Sequence, residues 1–245
     1  MKRMIRTTLA AALVTSTAFA VQAKQSSYEM VILHVEGAAL KRGAVIDGNQ
    51  PLALNSGAKV TLVGADGKTI TLQGPSAAAP AQLGSKSGSD AKSSGKVAAI
   101  LGALLSNEQR STRALGVVRS ATPTGSGKLP DAWAVNVEQS GTKCVGADVV
   151  KLWRPDNSVE AKLQIRRAQS ARSAKAQWPA GQEFLSVNSR VFQDGQNYIV
   201  SINGRSSEMK ISVMPAGLDS PGEQAAWMAR NNCRDQALAM VDRIR

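Results

Sequence analysis

The sequence predicts a mainly β protein: a small glycine-rich β-domain, a flexible linker with a short helix, then an antiparallel β-sandwich or barrel closed by a terminal α-helix. Three observations carry this. Short apolar runs alternate with period two in both halves of the chain, as in Lys59–Val63 and Tyr198–Asn203. Turn-forming pairs such as Asp66-Gly67, Asp194-Gly195 and Asn203-Gly204 separate them. Helical periodicity is confined to a segment after residue 96 and to the chain's end.

Residues 1–23 read as a secretory signal peptide. Lys2, Arg3 and Arg6 form a basic start, Leu9–Val14 a short apolar core, and Ala18-Phe19-Ala20 and Val21-Gln22-Ala23 two alternative small-x-small cleavage sites. The apolar core is shorter than the ~18–20 residues a spanning helix needs, and no other stretch reaches that length. The expectation is a bacterial periplasmic or secreted protein with no transmembrane segment in the mature chain.

Residues 28–75 form the first β-unit. In Lys59–Val63, Val60 and Leu62 are expected inside, with Lys59 and Thr61 outside. In Thr69–Leu72, Ile70 and Leu72 are expected inside, with Thr69 and Thr71 outside. Asp66-Gly67 should join the two strands as a hairpin, because both central positions of that turn favour φ > 0. His34 lies in the apolar run Met30–Val35 and reads as a strand residue; a lone histidine makes neither a metal site nor a triad.

The stretch 35–75 resembles the FecR-like extracytoplasmic β-domain. The resemblance rests on Gly43 with its apolar follow-on, Gly57-Ala58, the Val60/Leu62 strand, Asp66-Gly67, the Ile70/Leu72 strand and Gly74-Pro75. It implies an extracytoplasmic β-module that contacts other molecules. FecR-type transducers also carry a cytoplasmic helical segment and a membrane span. Neither is found in this sequence, so sigma-factor signalling is not carried over.

Residues 76–96 are rich in Ala, Ser, Gly and Lys and offer little to bury, which predicts a flexible linker. Residues 97–110 place Val97, Ile100, Leu101, Leu104 and Leu105 at helical spacing. This short amphipathic helix is expected to dock on a β-unit, a partner being the alternative. Thr122–Pro130 reads as a loop.

Residues 129–215 contain alternating runs at Trp133–Val137, Val159–Arg166, Ala174–Trp178, Tyr198–Asn203 and Met209–Val213, a sandwich or small-barrel pattern without a legible strand order. Ser220-Pro221-Gly222-Glu223 is a capping box with proline at the first helical position. It opens a helix expected over 220–245, with Ala226, Ala229, Cys233, Ala237, Met240 and Ile244 on the stripe that packs on the sandwich. The two cysteines, Cys144 and Cys233, are expected to form one disulfide in an oxidising compartment; with no Cys-x-x-Cys, a free redox-active cysteine is the weaker reading.

The chain carries a formal charge of +12, and loss of Lys2, Arg3 and Arg6 with the signal leaves +9. The densest cations, Arg166, Arg167, Arg172 and Lys175, are the candidate contact for an anionic polymer; a solvated basic surface is the plainer reading. Nucleic acid is not an expected partner. No catalytic, cofactor or metal residues are nominated. Gly127-Lys128 and Gly95-Lys96 fail as phosphate loops, having Thr122 and Asp90 where the first glycine belongs, and Leu129 and Val97 where Ser or Thr belongs. Ser-x-x-Lys occurs three times, at Ser93/Lys96, Ser140/Lys143 and Ser207/Lys210, none of them read as opening a helix beside a pocket. Trp133, Trp153, Trp178 and Trp227 are expected in cores, a ligand platform being the alternative. The functional expectation is a non-catalytic envelope accessory or interaction protein with an envelope protein partner. The alternatives are a binder of anionic envelope polymer and a hydrolase of unrecognised constellation.

Overall fold

The computed structural model describes residues 28–84, 96–115 and 128–244. The signal-peptide expectation therefore lies outside the described residues, as do the middle of the linker and most of the Thr122–Pro130 loop.

The first unit is a four-stranded antiparallel sheet of β1 (Glu29–Glu36), β2 (Val45–Asp47), β3 (Lys59–Gly64) and β4 (Thr69–Gln73), in the order β2-β1-β3-β4. The Asp66-Gly67 hairpin forms, with Gly64 N–H donating to Lys68 O at 2.9 Å, but of the two turn positions expected at φ > 0 only Gly67 takes it, at 76°. Val60, Leu62 and Leu72 pack with Met30, Ile32 and Leu54 on one face. The expected outward face is corrected. Thr61 and Val63 are fully buried, because Val63 joins Val31 and Leu33 in a second core on the opposite face. The unbroken run Met30–Leu33 carries the reason: a strand apolar at every position is buried on both sides.

The linker expectation is corrected over its first part. Leu54 bridges Ser76, and Pro80–Gly84 forms a short helix, α1, in which Ala81 N–H donates to Gly48 O at 2.9 Å. Small side chains allow this: Ala79 and Ala81 are buried against the module's backbone. The following helix is longer than expected, α2 spanning Val97–Leu115. It buries Val97, Ala98, Leu101, Leu104 and Leu105 over Val31, Leu33 and Val63. Two glycines permit the approach. A Cβ at Gly102 would lie 2.9 Å from Val45 Cγ2, and one at Gly43 would lie 2.9 Å from Leu105 Cβ.

The second unit has eight strands where five were legible. They are β5 (Ala134–Asn136), β6 (Gly141–Val145), β7 (Val149–Trp153), β8 (Ala161–Arg167), β9 (Ser173–Trp178), β10 (Phe184–Asn188), β11 (Asn197–Ile202) and β12 (Arg205–Val213). A three-stranded sheet, β10-β7-β5, faces a five-stranded sheet, β6-β12-β11-β8-β9, across a core that includes Leu152, Ile165, Trp178, Val200 and Ile211. The arrangement is an open sandwich; no barrel closes. It is also not purely antiparallel, since β5 pairs β7 and β6 pairs β12 in parallel. Val159, expected to begin a strand facing inward, precedes β8 and is exposed. In β9, Ala174 and Ala176 are exposed and only Trp178 is buried, because β9 is the last strand of the wider sheet.

The single terminal helix is corrected to two, α3 (Pro221–Arg230) and α4 (Arg234–Arg243), broken where Asn232 adopts φ 61°. The capping box is present: Ser220 Oγ accepts from Glu223 N–H, and Glu223 Oε2 accepts from Ser220 N–H. The apolar stripe exists, but its main partner differs from the expected one. Ala226, Cys233, Ala237, Met240 and Ile244 join α2 and the second face of the first sheet; the second unit contributes Cys144 of β6 and, beside its strands, Leu129, Ala132, Trp133 and Met214. The sandwich interior is already filled by its own two sheets, so the helices bury their stripe against α2, in a cluster that both units line. Contact is backbone-close at the hairpin tip, where a Cβ on Gly222 would lie 2.4 Å from Gly67 O. The two β-units thus meet through a helical layer.

Polar groups fasten the same seam. Arg42, from the β1–β2 connection, donates to Asp242 of α4 at 2.7 Å, and Lys128 reaches the same carboxylate at 3.0 Å. Asp131 accepts from Lys151 and from Arg243, each at 3.1 Å. Partial burial raises both aspartates' pKa values, but it is outweighed. For Asp131, the Trp133 backbone N–H, Lys151 and Arg243 bring the carboxyl below its ordinary value. For Asp242, Lys128 and Arg42 do the same. Carboxyls so depressed contribute stability that is fully present above about pH 4, the ordinary aspartate value, and is lost as pH falls through the lower folded-state value. Unfolding free energy should hold between pH 7 and 5 and drop below about pH 4, with a shallower drop in Asp131→Asn/Asp242→Asn. Urea titrations at stepped pH check this; an acid limb unchanged in the double variant would assign the loss to other groups.

Candidate functional site

The outer face of the five-stranded sheet follows from strand alternation. Leu163 and Ile165 of β8 point into the sandwich, so Lys162, Gln164 and Arg166 point away from it. Register places Gln177, Lys175 and Ser173 of β9 beside them, and Ser201 and Ile199 of β11 on the other side. This face is polar and partly or fully exposed.

The four cations nominated from sequence are divided between two recesses: Arg166 and Lys175 belong to the outer face, whereas Arg167 follows Leu163 and Ile165 in alternation and points to the opposite side of β8. Arg166, Arg167 and Arg172 line one depression with Ser173 and Tyr198. Arg166 also donates to Ala168 O at 3.2 Å. Lys175 lies on the neighbouring groove of about 580 Å³, with Lys162, Gln164, Gln177, Ser201 and Gly204. Lys162, Gln164 and Gln177 were missed as site residues, although the two-residue period of β8 and β9 already assigns them to the same face. The groove is bounded by β9, which pairs with β8 on one side and presents its other edge to solvent.

The disulfide forms: Cys144 and Cys233 are joined with Cα atoms 5.8 Å apart, across a sequence separation of 89, and neither cysteine is free. Both are buried. Gln236 doubles the link, accepting from Cys144 N–H at 2.8 Å and donating to Cys144 O at 2.8 Å.

A third recess, of about 130 Å³, lies beside the bridge. Asn136, Gln139, Thr142 and Lys143 line it from the sandwich, and Arg234, Asp235 and Gln236 from α4. Lys143 is only 7% exposed and donates to Gln139 Oε1 at 3.3 Å. Burial pulls its pKa below the ordinary lysine value, against the opposing pull of the Asp235 charge. Ser140 of the Ser140/Lys143 pair borders the same recess, but its Oγ accepts from Glu208 N–H at 3.1 Å. Ser207 is buried with its Oγ bonded to Val137 O at 2.6 Å. Ser93 lies outside the described residues.

The tryptophans are distributed among cores. Trp178 is fully buried with Arg154 over its ring, the guanidinium carbon 5.1 Å from the centroid. Trp153 is buried, Trp227 lies in the helical cluster, and Trp133 packs against it. His34 sits on β1, half exposed, 2.8 Å from Glu36 Oε1. Among the described residues no three His, Cys, Asp or Glu side chains group as metal ligands, and no helix is long and apolar enough to cross a membrane. No protein-family model matches the chain, and no curated protein matches it.

Proposed function

We propose that the chain is a non-catalytic, exported bacterial envelope protein that binds an envelope protein partner through β9 and the adjoining outer sheet face. The observation that carries this reading is the exposure of β9. Four consecutive residues, Ala174–Gln177, are exposed on a strand whose far edge pairs with nothing among the described residues. An open edge of this kind is a template for strand addition or face-on contact. The basic start of the chain, its cleavage motifs, the Cys144–Cys233 bridge and the FecR-like resemblance of residues 35–75 support the export half of the proposal.

The test is capture from an envelope fraction with wild type and with Lys175→Pro. Proline removes a backbone donor from the strand and disfavours pairing there. Wild type should retain a partner at moderate salt, and Lys175→Pro should lose it with the fold intact by circular dichroism. Equal retention by both proteins overturns the assignment to β9.

A second reading has its own support in the convergence of Arg166, Arg167 and Arg172 on one depression. Under it, the same surface holds an anionic polymer. Binding would then fall steeply between low and high salt, since exposed charges are screened within ~8–10 Å. Arg166→Glu/Arg172→Glu would abolish it, while Lys175→Pro would leave most of it.

A further inference from the structure

The inner face of the five-stranded sheet ends unfinished at β9. Cross-strand register lays its side chains in rows. Val200 of β11, Ile165 of β8 and Ala174 of β9 form one row, and Ile202, Leu163 and Ala176 form the next. In both, the first two residues are buried and the alanine at the end is exposed. Beside Ala174 the inner face opens into the depression of about 330 Å³, whose apolar wall is Ile165, Ala174, Val191 and Tyr198. The outer face of the same strand has the opposite chemistry. Lys175 stands there between Ser173 and Gln177, with Lys162 on β8 opposite Gln177. Neither lysine ammonium has a partner among the described residues. The carboxylate of Glu160, at the end of this face, accepts from Gln177 Nε2.

We propose that β9 takes as its added neighbour an extended segment of a partner protein that reads apolar–acidic–apolar at three successive positions. The inference rests on β9 being the contact edge, and it specifies what that edge selects. Backbone pairing supplies attachment without regard to sequence; side chains of the added strand alternate between the two faces. Two apolar side chains then continue the rows that stop at Ala174 and Ala176, and one of them enters the depression. Each takes apolar surface at the end of a row out of water. The alanines carry only a methyl group, so a larger side chain fits beside them. The carboxylate between the two apolar residues falls next to Lys175, where an opposite charge is favourable and a like charge is not. The same rule disfavours a second copy of this chain. Two β9 strands paired at their centres would bring their Lys175 ammoniums together and set alanine beside alanine, which extends neither row.

The experiment follows amide exchange of the folded, disulfide-bonded protein with capped threonine-rich peptides that differ only at their centre: Val-Glu-Val, Val-Lys-Val or Ser-Glu-Ser. The Val-Glu-Val peptide should slow exchange across residues 173–177 saturably, and the other two should bind about tenfold more weakly. Lys175→Glu, a change on an exposed side chain, should switch the preference to Val-Lys-Val. Ala174→Asp/Ala176→Asp, also at exposed positions, should lose both valine peptides. No slowing by Val-Glu-Val at its solubility limit overturns the proposal, as does an unchanged preference in Lys175→Glu. Equal binding of Ser-Glu-Ser overturns it too, because charge alone would then suffice, as for an anionic polymer. Slowing of β9 exchange with protein concentration and no peptide assigns the edge to a second copy and overturns it as well. Envelope capture separates this inference from the reading beneath it. Capture lost in Lys175→Pro, joined to peptides that bind alike, keeps β9 as the contact edge and removes the apolar–acidic–apolar segment. Capture equal in wild type and Lys175→Pro removes both.

Discussion

Breaking the Cys144–Cys233 bridge is expected to remove about 4–5 kcal/mol of unfolding free energy, the chain-entropy value for a closed loop of this length. The structure adds a reason for the full amount to be felt. β6 is the outermost strand of its sheet and pairs with β12 alone. The bridge is the covalent tie between that strand and α4, a helix that otherwise packs on α3 and α2. Without it, β6 depends on one parallel pairing and on the Gln236 bonds to Cys144. Urea unfolding of the oxidised protein beside Cys144→Ser/Cys233→Ser measures the difference. A loss below about 1 kcal/mol would mean that the denatured chain gains little freedom when the link is cut. Amide exchange should rise first in β6 and the start of α4, ahead of β8 and β11.

Trp178→Ala should cost about 3–5 kcal/mol, the range for deleting a buried large aromatic. Trp178 is the one buried residue of β9, so its loss removes the anchor of that whole strand. Its indole N–H also donates to Gln182 O at 2.8 Å, and its ring lies beneath Arg154. Arg154 is 2% exposed and donates to Pro179 O at 3.1 Å, so the substitution leaves a buried guanidinium without the ring that covers it. Trp178→Phe should recover most of the packing but not the Gln182 bond. Denaturant titration gives the magnitude, and amide exchange gives the location. Early loss of protection in β9, with β11 and β12 still protected, is the expected pattern; uniform loss would show that β9 is not separately anchored. Under the proposed function, the alanine variant also loses partner capture, because the edge that makes contact is no longer held.

Legibility varied with how each residue announces its environment. The Asp66-Gly67 turn and the Ser220–Glu223 capping box are local devices, set by neighbours within four positions, and both stand where the sequence places them. Strands β8, β11 and β12 show clean alternation because one side faces the core and the other faces water. The strands that escaped notice break that pattern. β6 buries Lys143, and β7 exposes Val149. β10 is short, with no position fully buried. Among the four nominated cations, Arg166, Arg167 and Arg172 converge through a turn. Lys175 belongs to the adjacent groove, whose polar lining from β8, β9 and β11 is assembled by register. The recess at Lys143 was illegible, since its walls are about ninety residues apart and meet where the disulfide holds them.

The amino-acid sequence by itself determined the mainly β character, the turns, the helix start at Ser220 and the pairing of the only two cysteines, all consequences of short-range backbone preference or of simple arithmetic. Tertiary structure alone decided that α3 and α4 pack on each other and on α2, between the two units, that Thr61 and Val63 are buried, and that two strand pairs run parallel. The physical reason is that an apolar stripe specifies burial but not its partner. Which surface it covers depends on what other surfaces remain open, and that is a property of the whole packed chain.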